Sequence, residues 1–209
     1  ELVKALTDMN FKRSAADPCL YYCWTMFGLV VWLSWIDDCL VAGDPRAVEA
    51  AKEQMKSRFE CDDLGELNEY VGCKIDRDEY SVKFTQPVLI QSYEDEFDLN
   101  KTRQVFTPAE QGKVLMKCDE STKLEGKEQT KYRSGVGKLL HMMRWSRPEI
   151  YNTVRELSRF MTVGASEGHT KAMKRVMEYC VETKERGLEL RPDVKWDGNP
   201  EFEFVIRGI

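Results

Sequence analysis

Leu29-Val30-Val31-Trp32-Leu33-Ser34-Trp35-Ile36-Asp37-Asp38-Cys39-Leu40-Val41-Ala42 sets two adjacent carboxylates between two apolar, β-prone runs. Runs of this kind read as strands. Leu29 to Ile36 is therefore expected as a strand buried on both faces, Cys39 to Ala42 as its antiparallel return, and Asp37-Asp38 as the tip between them. Removing an ionised carboxylate from water costs several kcal/mol unless a partner or cation compensates it. Paired oxygens at a hairpin tip suit a divalent cation, and they equally suit a solvated turn, where Asp is common.

Working outward, Leu2, Ala5, Leu6 and Met9 recur at helical spacing, Asp17-Pro18 punctuates, and Cys19 to Trp24 reads as a strand turned at Thr25 to Gly28. Downstream, Gly43 closes the return strand, Asp44 suits an N-cap and Pro45 the first helical position, and Val48, Ala51, Met55 and Phe59 form an apolar stripe. After an acidic loop, Glu69 to Ile75 and Tyr80 to Thr85 flank Asp76-Arg77-Asp78-Glu79 as a second hairpin. From Pro87 the pattern turns helical: Val88 to Phe97, Tyr132 to Trp145, Pro148 to Met161 and Ser166 to Lys184. Gly187 to Leu190 and Glu201 to Ile206 read as a closing pair of strands. The fold class is α+β, with a β-rich portion over 1–86, a helical portion over 87–190 and a remaining segment over 191–209.

The chain has 209 residues, 42% apolar and 32% charged, as in a globular protein. A net charge of -5 argues against a generic basic wrapper of nucleic acid. It leaves room for a local basic face: Lys131 to Arg147 holds five Lys or Arg, plus His141 and Trp145, and no acid. Such a helix suits a nucleic-acid backbone, and it also reads as a solvated amphipathic helix whose Leu139, Leu140, Met142 and Met143 are core. Seven cysteines form no Cys-x-x-Cys pair and lie far from His141 and His169, so neither a zinc site nor a disulfide framework is expected. Cys39, Cys73 and Cys180 have apolar neighbours and are expected as packed thiols in a reducing, intracellular compartment. His169 is expected to cap or pack a helix start, and Lys174-Arg175 to lie on the surface. The longest apolar run, Leu29 to Ile36, is far below the roughly 20 residues of a spanning helix, and no membrane partner is expected. The start at Glu1 and the end at Arg207-Gly208-Ile209 suggest a piece of a longer polypeptide.

Several motifs in order resemble the reverse transcriptase of copia-type long-terminal-repeat retrotransposons. Phe11-Lys12-Arg13-Ser14 and Ala16-Asp17-Pro18-Cys19-Leu20-Tyr21 are similar to the segment before that family's catalytic hairpin. Trp35-Ile36-Asp37-Asp38 stands in the place of its tyrosine-valine-aspartate-aspartate signature, with Trp for the usual Tyr. Asp62-Asp63-Leu64-Gly65-Glu66-Leu67 and Val71-Gly72 are similar to the following palm segment. Tyr132-Arg133-Ser134, Val136-Gly137, Leu139-Leu140, Arg147-Pro148-Glu149-Ile150, Leu157-Ser158-Arg159-Phe160-Met161, His169 and Lys174-Arg175-Val176 are similar to its downstream helical region.

The resemblance implies the C-terminal part of a polymerase palm with a primer-grip-like hairpin over 1–86 and a thumb or connection region over 87–190. Residues 191–209 would begin the connection toward a ribonuclease H domain. It implies an RNA-directed DNA polymerase using Mg²⁺ or Mn²⁺, with Asp37 as principal and Asp38 as weaker metal ligand and catalytic group. Successive strand residues point to opposite faces, so both can serve one metal only if the turn rotates one of them. Trp35 and Ile36 would meet the primer end. Tyr70, Val71, Gly72 and Lys74 resemble the primer grip and read equally as an ordinary hairpin edge; Arg133, Lys138 and Arg144 are the choices for phosphate contact. The implied partners are an RNA or DNA template with primer, deoxynucleoside triphosphates, and the fingers, ribonuclease H and integrase of the Pol polyprotein, in a cytoplasmic virus-like particle or the nucleus. The palm strand carrying the family's first aspartate has no counterpart here, so the isolated chain is expected to be inactive. A non-catalytic retroelement remnant that folds or binds nucleic acid is the alternative. An unrelated metal-dependent phosphohydrolase would need further carboxylates or histidines near Asp37.

Overall fold

The computed structural model describes residues 1–99 and 104–193. They form an α+β chain with two four-stranded antiparallel sheets, in two compact units divided between Leu67 and Asn68. The division precedes the boundary expected near Gln86, because the strands after Asn68 pair with Leu188–Leu190 and not with the first sheet. The expected strand Glu201 to Ile206, and all but the start of the 191–209 segment, lie outside the described residues.

The first unit opens with helix α1 (Leu2–Asp8), whose apolar stripe ends at Asn10, a residue that accepts the left-handed φ of 65°. Strands β1 (Lys12–Arg13), β2 (Leu20–Thr25), β3 (Gly28–Trp35) and β4 (Asp38–Gly43) follow in spatial as well as chain order. The Asp17 carboxylate accepts the Cys19 amide at 2.8 Å to turn the chain into β2. The Thr25 hydroxyl accepts the Phe27 amide and donates to the Gly28 carbonyl to close the β2–β3 turn. Helix α2 (Pro45–Lys56) starts on Asp44, whose carboxylate accepts the Arg46 amide at 3.0 Å.

One face of this sheet is core. Tyr21, Val30 and Trp32 pack with Leu6, Met9 and Phe11 from the α1 side and with Ala47, Ala51 and Met55 of α2. The expectation that β3 is buried on both faces fails: Leu29, Val31 and Leu33, on the other face, are only half-buried and Trp35 is exposed. Both helices cover the same side, so the strand alternates instead of reading as doubly covered.

The second unit contains β5 (Glu69–Tyr70), β6 (Cys73–Arg77), β7 (Val82–Thr85) and β8 (Leu188–Leu190), paired in that order. The segment expected as one strand over Glu69 to Ile75 is broken by a two-residue turn at Val71-Gly72, so two hairpins stand where one was expected. Its helices are α3 (Pro87–Phe97), α4 (Gly126–Trp145), α5 (Tyr151–Ser158), α6 (Phe160–Val163) and α7 (Glu167–Glu182). Their core includes Tyr93, Phe97, Leu139, Met142, Leu157 and Met177, each at most 1% exposed. Burying such a side chain contributes about 1.5–3 kcal/mol, so this cluster dominates the unit. Arg147 is also buried, and the core satisfies it: its guanidinium donates to Glu149 at 2.6 Å and to the Thr183 hydroxyl and carbonyl at 2.6 and 3.2 Å, over the Tyr179 ring.

Among the described residues no helix is long and apolar enough to cross a membrane.

Candidate functional site

The tip of the β3–β4 hairpin is a two-residue turn. Trp35 pairs with Asp38, leaving Ile36 and Asp37 as its central residues. Ile36 takes φ of 52° and is 86% exposed. A β-branched residue in the left-handed region is a true outlier, and strain of this kind costs about 1–3 kcal/mol and concentrates at functional sites. The turn also removes Asp37 from the strand alternation that would send two neighbouring carboxylates to opposite faces. Asp38, the first residue of β4, shares the face of Trp35.

Asp37 and Asp38 are both exposed, and neither carboxylate makes a hydrogen bond or ion pair among the described residues. Their oxygens have no competing partner and suit a hard cation. Among the described residues no three His, Cys, Asp or Glu side chains come close enough to hold a metal, so two carboxylates are what this unit offers. Cys39 is exposed, contrary to the packed thiol expected, because it lies at the tip end of the edge strand β4. Partial burial still raises its thiol pKa, with the Trp32 indole acting the other way and Cys61 and Asp38 adding to the rise. Cys73 and Cys180 are buried as expected; burial pushes Cys73 up to about 11 and Cys180 up to about 12.

The second hairpin tip has the same character. Tyr70 pairs with Cys73 around Val71 and Gly72, which take φ of 50° and 72°. Gly accepts this conformation without cost, and Val does not. Lys74 is ion-paired with Asp76 at 2.8 Å.

The three cations chosen on α4 differ in what they already hold. Lys138 is engaged by Glu96 at 2.5 Å and by the Ser92 hydroxyl at 3.0 Å. Arg133 donates to the Met161 carbonyl at 2.7 Å. Arg144 lies over the Trp145 ring at 5.9 Å and meets no acid among the described residues. Of the three, only Lys138 has its charge met by an acid; Arg133 and Arg144 keep theirs unneutralised among the described residues, and Arg144 has no hydrogen-bond acceptor either. Arg175, expected on the surface, is half-buried: it is held by the Thr107 hydroxyl at 3.1 Å and Glu110 at 3.8 Å, with its side chain 14% exposed. His169 does cap α7. Its Nδ1 accepts the Ser166 amide at 3.0 Å, and its ring packs on Phe160.

One neighbour has no signal in the sequence. A β-carbon built on Gly72 would meet a single other group within 4 Å, the Nε2 of His141 at 3.9 Å. Nothing in the periodicity of residues 69–75 or of α4 pairs these positions.

Residues 1–111 match the family described as reverse transcriptase (RNA-dependent DNA polymerase). The chain is 27% identical over 181 residues to the retrovirus-related Pol polyprotein from transposon TNT 1-94 of Nicotiana tabacum, covering 83% of this chain and 14% of that protein. It is 28% identical over 219 residues to the retrovirus-related Pol polyprotein from transposon RE1 of Arabidopsis thaliana, covering 100% of this chain and 15% of that protein. It is 27% identical over 188 residues to a putative transposon Ty5-1 protein of Saccharomyces cerevisiae, covering 89% of this chain and 60% of that protein. The chain thus spans a small part of the plant polyproteins it matches. No solved structure matches it.

Proposed function

The chain belongs to the reverse transcriptase (RNA-dependent DNA polymerase) family, of the copia type, and from that premise we propose that it is part of an enzyme that extends a primer on an RNA or DNA template with deoxynucleoside triphosphates. The first unit supplies part of the palm, and the second the primer-grip-like hairpin and the helical thumb or connection. One observation carries this reading: two exposed, unpartnered carboxylates sit on a strained hairpin tip inside the segment that matches the family.

Asp37 and Asp38 are the residues that would hold Mg²⁺ or Mn²⁺. Bound there, divalent cations would activate the primer hydroxyl and neutralise charge on the triphosphate. The chain's own work is positioning. The turn at Ile36 presents both carboxylates to solvent, Trp35 and Ile36 stand where the primer end would approach, and the Val71-Gly72 backbone and Arg144 take phosphates along the strand. The rest of the Pol polyprotein, including fingers, ribonuclease H and integrase, would be its partners. The unpaired state of all seven cysteines fits a reducing compartment.

By themselves these residues bring no third carboxylate to the dyad among those described. The 209-residue chain alone is therefore expected to give no primer extension. Joined to an upstream palm and fingers from a relative, it is expected to extend a primed RNA template with Mg²⁺. Asp37→Asn should then reduce the rate by at least about 10³-fold and Asp38→Asn by less, as for loss of charge-stabilising groups. Equal rates for the joined wild type and Asp37→Asn would remove Asp37 from the mechanism. The same lack of a third ligand favours a second reading, a chain that binds primer–template without chemistry; it would be chosen if the joined protein binds the hybrid and never extends it.

A further inference from the structure

We infer that His141 and the Val71-Gly72 turn together form a single contact for a phosphodiester of the primer strand, a residue role that the sequence motifs do not assign. This rests on the polymerase reading above, and it deepens it by naming a contact that two distant segments must build jointly.

The geometry begins at the turn. Val71 and Gly72 lie between the paired residues Tyr70 and Cys73, outside the ladder. Their amides make no hydrogen bond among the described residues, so two donors are left over at a hairpin tip. Gly72 carries no side chain to keep a ligand away from the backbone. The group that faces the bare side of its Cα is the imidazole edge of His141, with Nε2 at 3.9 Å from where a β-carbon would stand.

His141 is held in place for this. It lies on α4, half-buried, with the Trp145 ring one turn on at 6.4 Å between centroids. It has no hydrogen-bond partner among the described residues. Arg144, three positions on and without an acidic partner, adds a full positive charge to the same end of the helix. Free amides and an uncommitted imidazole nitrogen at the turn, with a guanidinium free of acids about one turn further along the helix, are donors without acceptors. A phosphodiester supplies acceptors only, with one negative charge. Lys74 and Lys138 would be the simpler choices by type, and both are already occupied by Asp76 and Glu96.

The test uses the 209-residue chain and a fluorescein-labelled RNA–DNA primer–template hybrid, with affinity read by anisotropy. A parallel set of hybrids carries a single uncharged methylphosphonate at each of the last several primer linkages. His141→Ala should weaken binding about tenfold, the size expected for a hydrogen bond to a charged group, with the thermal midpoint of the helical unit unchanged. His141→Gln, which keeps an N–H near that position, should recover most of the loss. One methylphosphonate position should weaken the wild type by the same factor and leave His141→Ala no weaker. Arg144→Gln should reduce the salt slope of binding by about one phosphate's worth. Binding by His141→Ala within twofold of wild type overturns the inference while leaving the polymerase reading in place. So do methylphosphonate losses that add fully to the His141→Ala loss at every position. Failure of the wild-type chain to bind the hybrid overturns both.

Discussion

Ile36 and Val71 share a chemical oddity: each is β-branched, each sits at a two-residue hairpin tip, and each has positive φ. A fold does not keep two such residues for stability. Replacing Ile36 by Gly removes a side chain that is 86% exposed and buries nothing, so relief of strain should outweigh the added freedom of the unfolded chain. Ile36→Gly is expected to stabilise the first unit by about 0.5–1 kcal/mol, read as a higher urea midpoint in tryptophan fluorescence; a lower midpoint would mean the turn is not strained. At this scale a turn beside the acidic pair was legible from residue type, though one position late: the tip expected at Asp37-Asp38 lies at Ile36-Asp37, and Asp38 already pairs with Trp35 in the return strand. The His141 contact was not, because it depends on how two segments dozens of residues apart pack. Nor was the loss of Lys138 to Glu96, since a basic residue's type says nothing about its neighbour.

The elements show where periodicity works and where it stops. Helix α7 was legible from Met173, Val176, Met177 and Cys180, whereas α4 begins at Gly126, earlier than the apolar stripe from Tyr132 reveals. Its first turns are polar, and a solvated turn leaves no stripe to find. The expected helix over Pro148 to Met161 divides after Ser158, whose hydroxyl donates back to the Arg155 carbonyl at 2.8 Å; such back-bonding bends helices. The cap of α7 carries a pH signature. Burial lowers the His169 pKa below its ordinary 6.5, with the Met116 carbonyl opposing the shift. The unfolded chain therefore takes up a proton, as pH falls through about 6.5, that the folded helix refuses. Stability of the second unit should decline from about pH 6.5 downward and level off below the folded value. His169→Gln retains a side chain able to complete the capping box and should flatten this part of the profile; urea midpoints between about pH 8 and pH 5 would measure it. An unchanged slope would assign the decline to other groups.

Over the molecule as a whole, each unit has its own core, one built on a sheet with two helices and one on a helical cluster with a small sheet. Residues 68–192 expressed alone are expected to keep a helical circular-dichroism signal and to unfold in one cooperative urea transition. A gradual, non-cooperative melt would show that their core depends on the first unit. The division itself was not legible, because β8 joins β7 from more than a hundred positions away in the chain and no local pattern announces a partner so remote.

Strand β4 borders its sheet with one side unpaired among the described residues, and Asp38 is its first residue. An outer rung left vacant beside a charged tip invites extension: an extended segment from elsewhere could dock there by main-chain bonding alone, and whatever side chain it carried opposite Asp38 would be delivered to the dyad's flank without any need for the dyad itself to move.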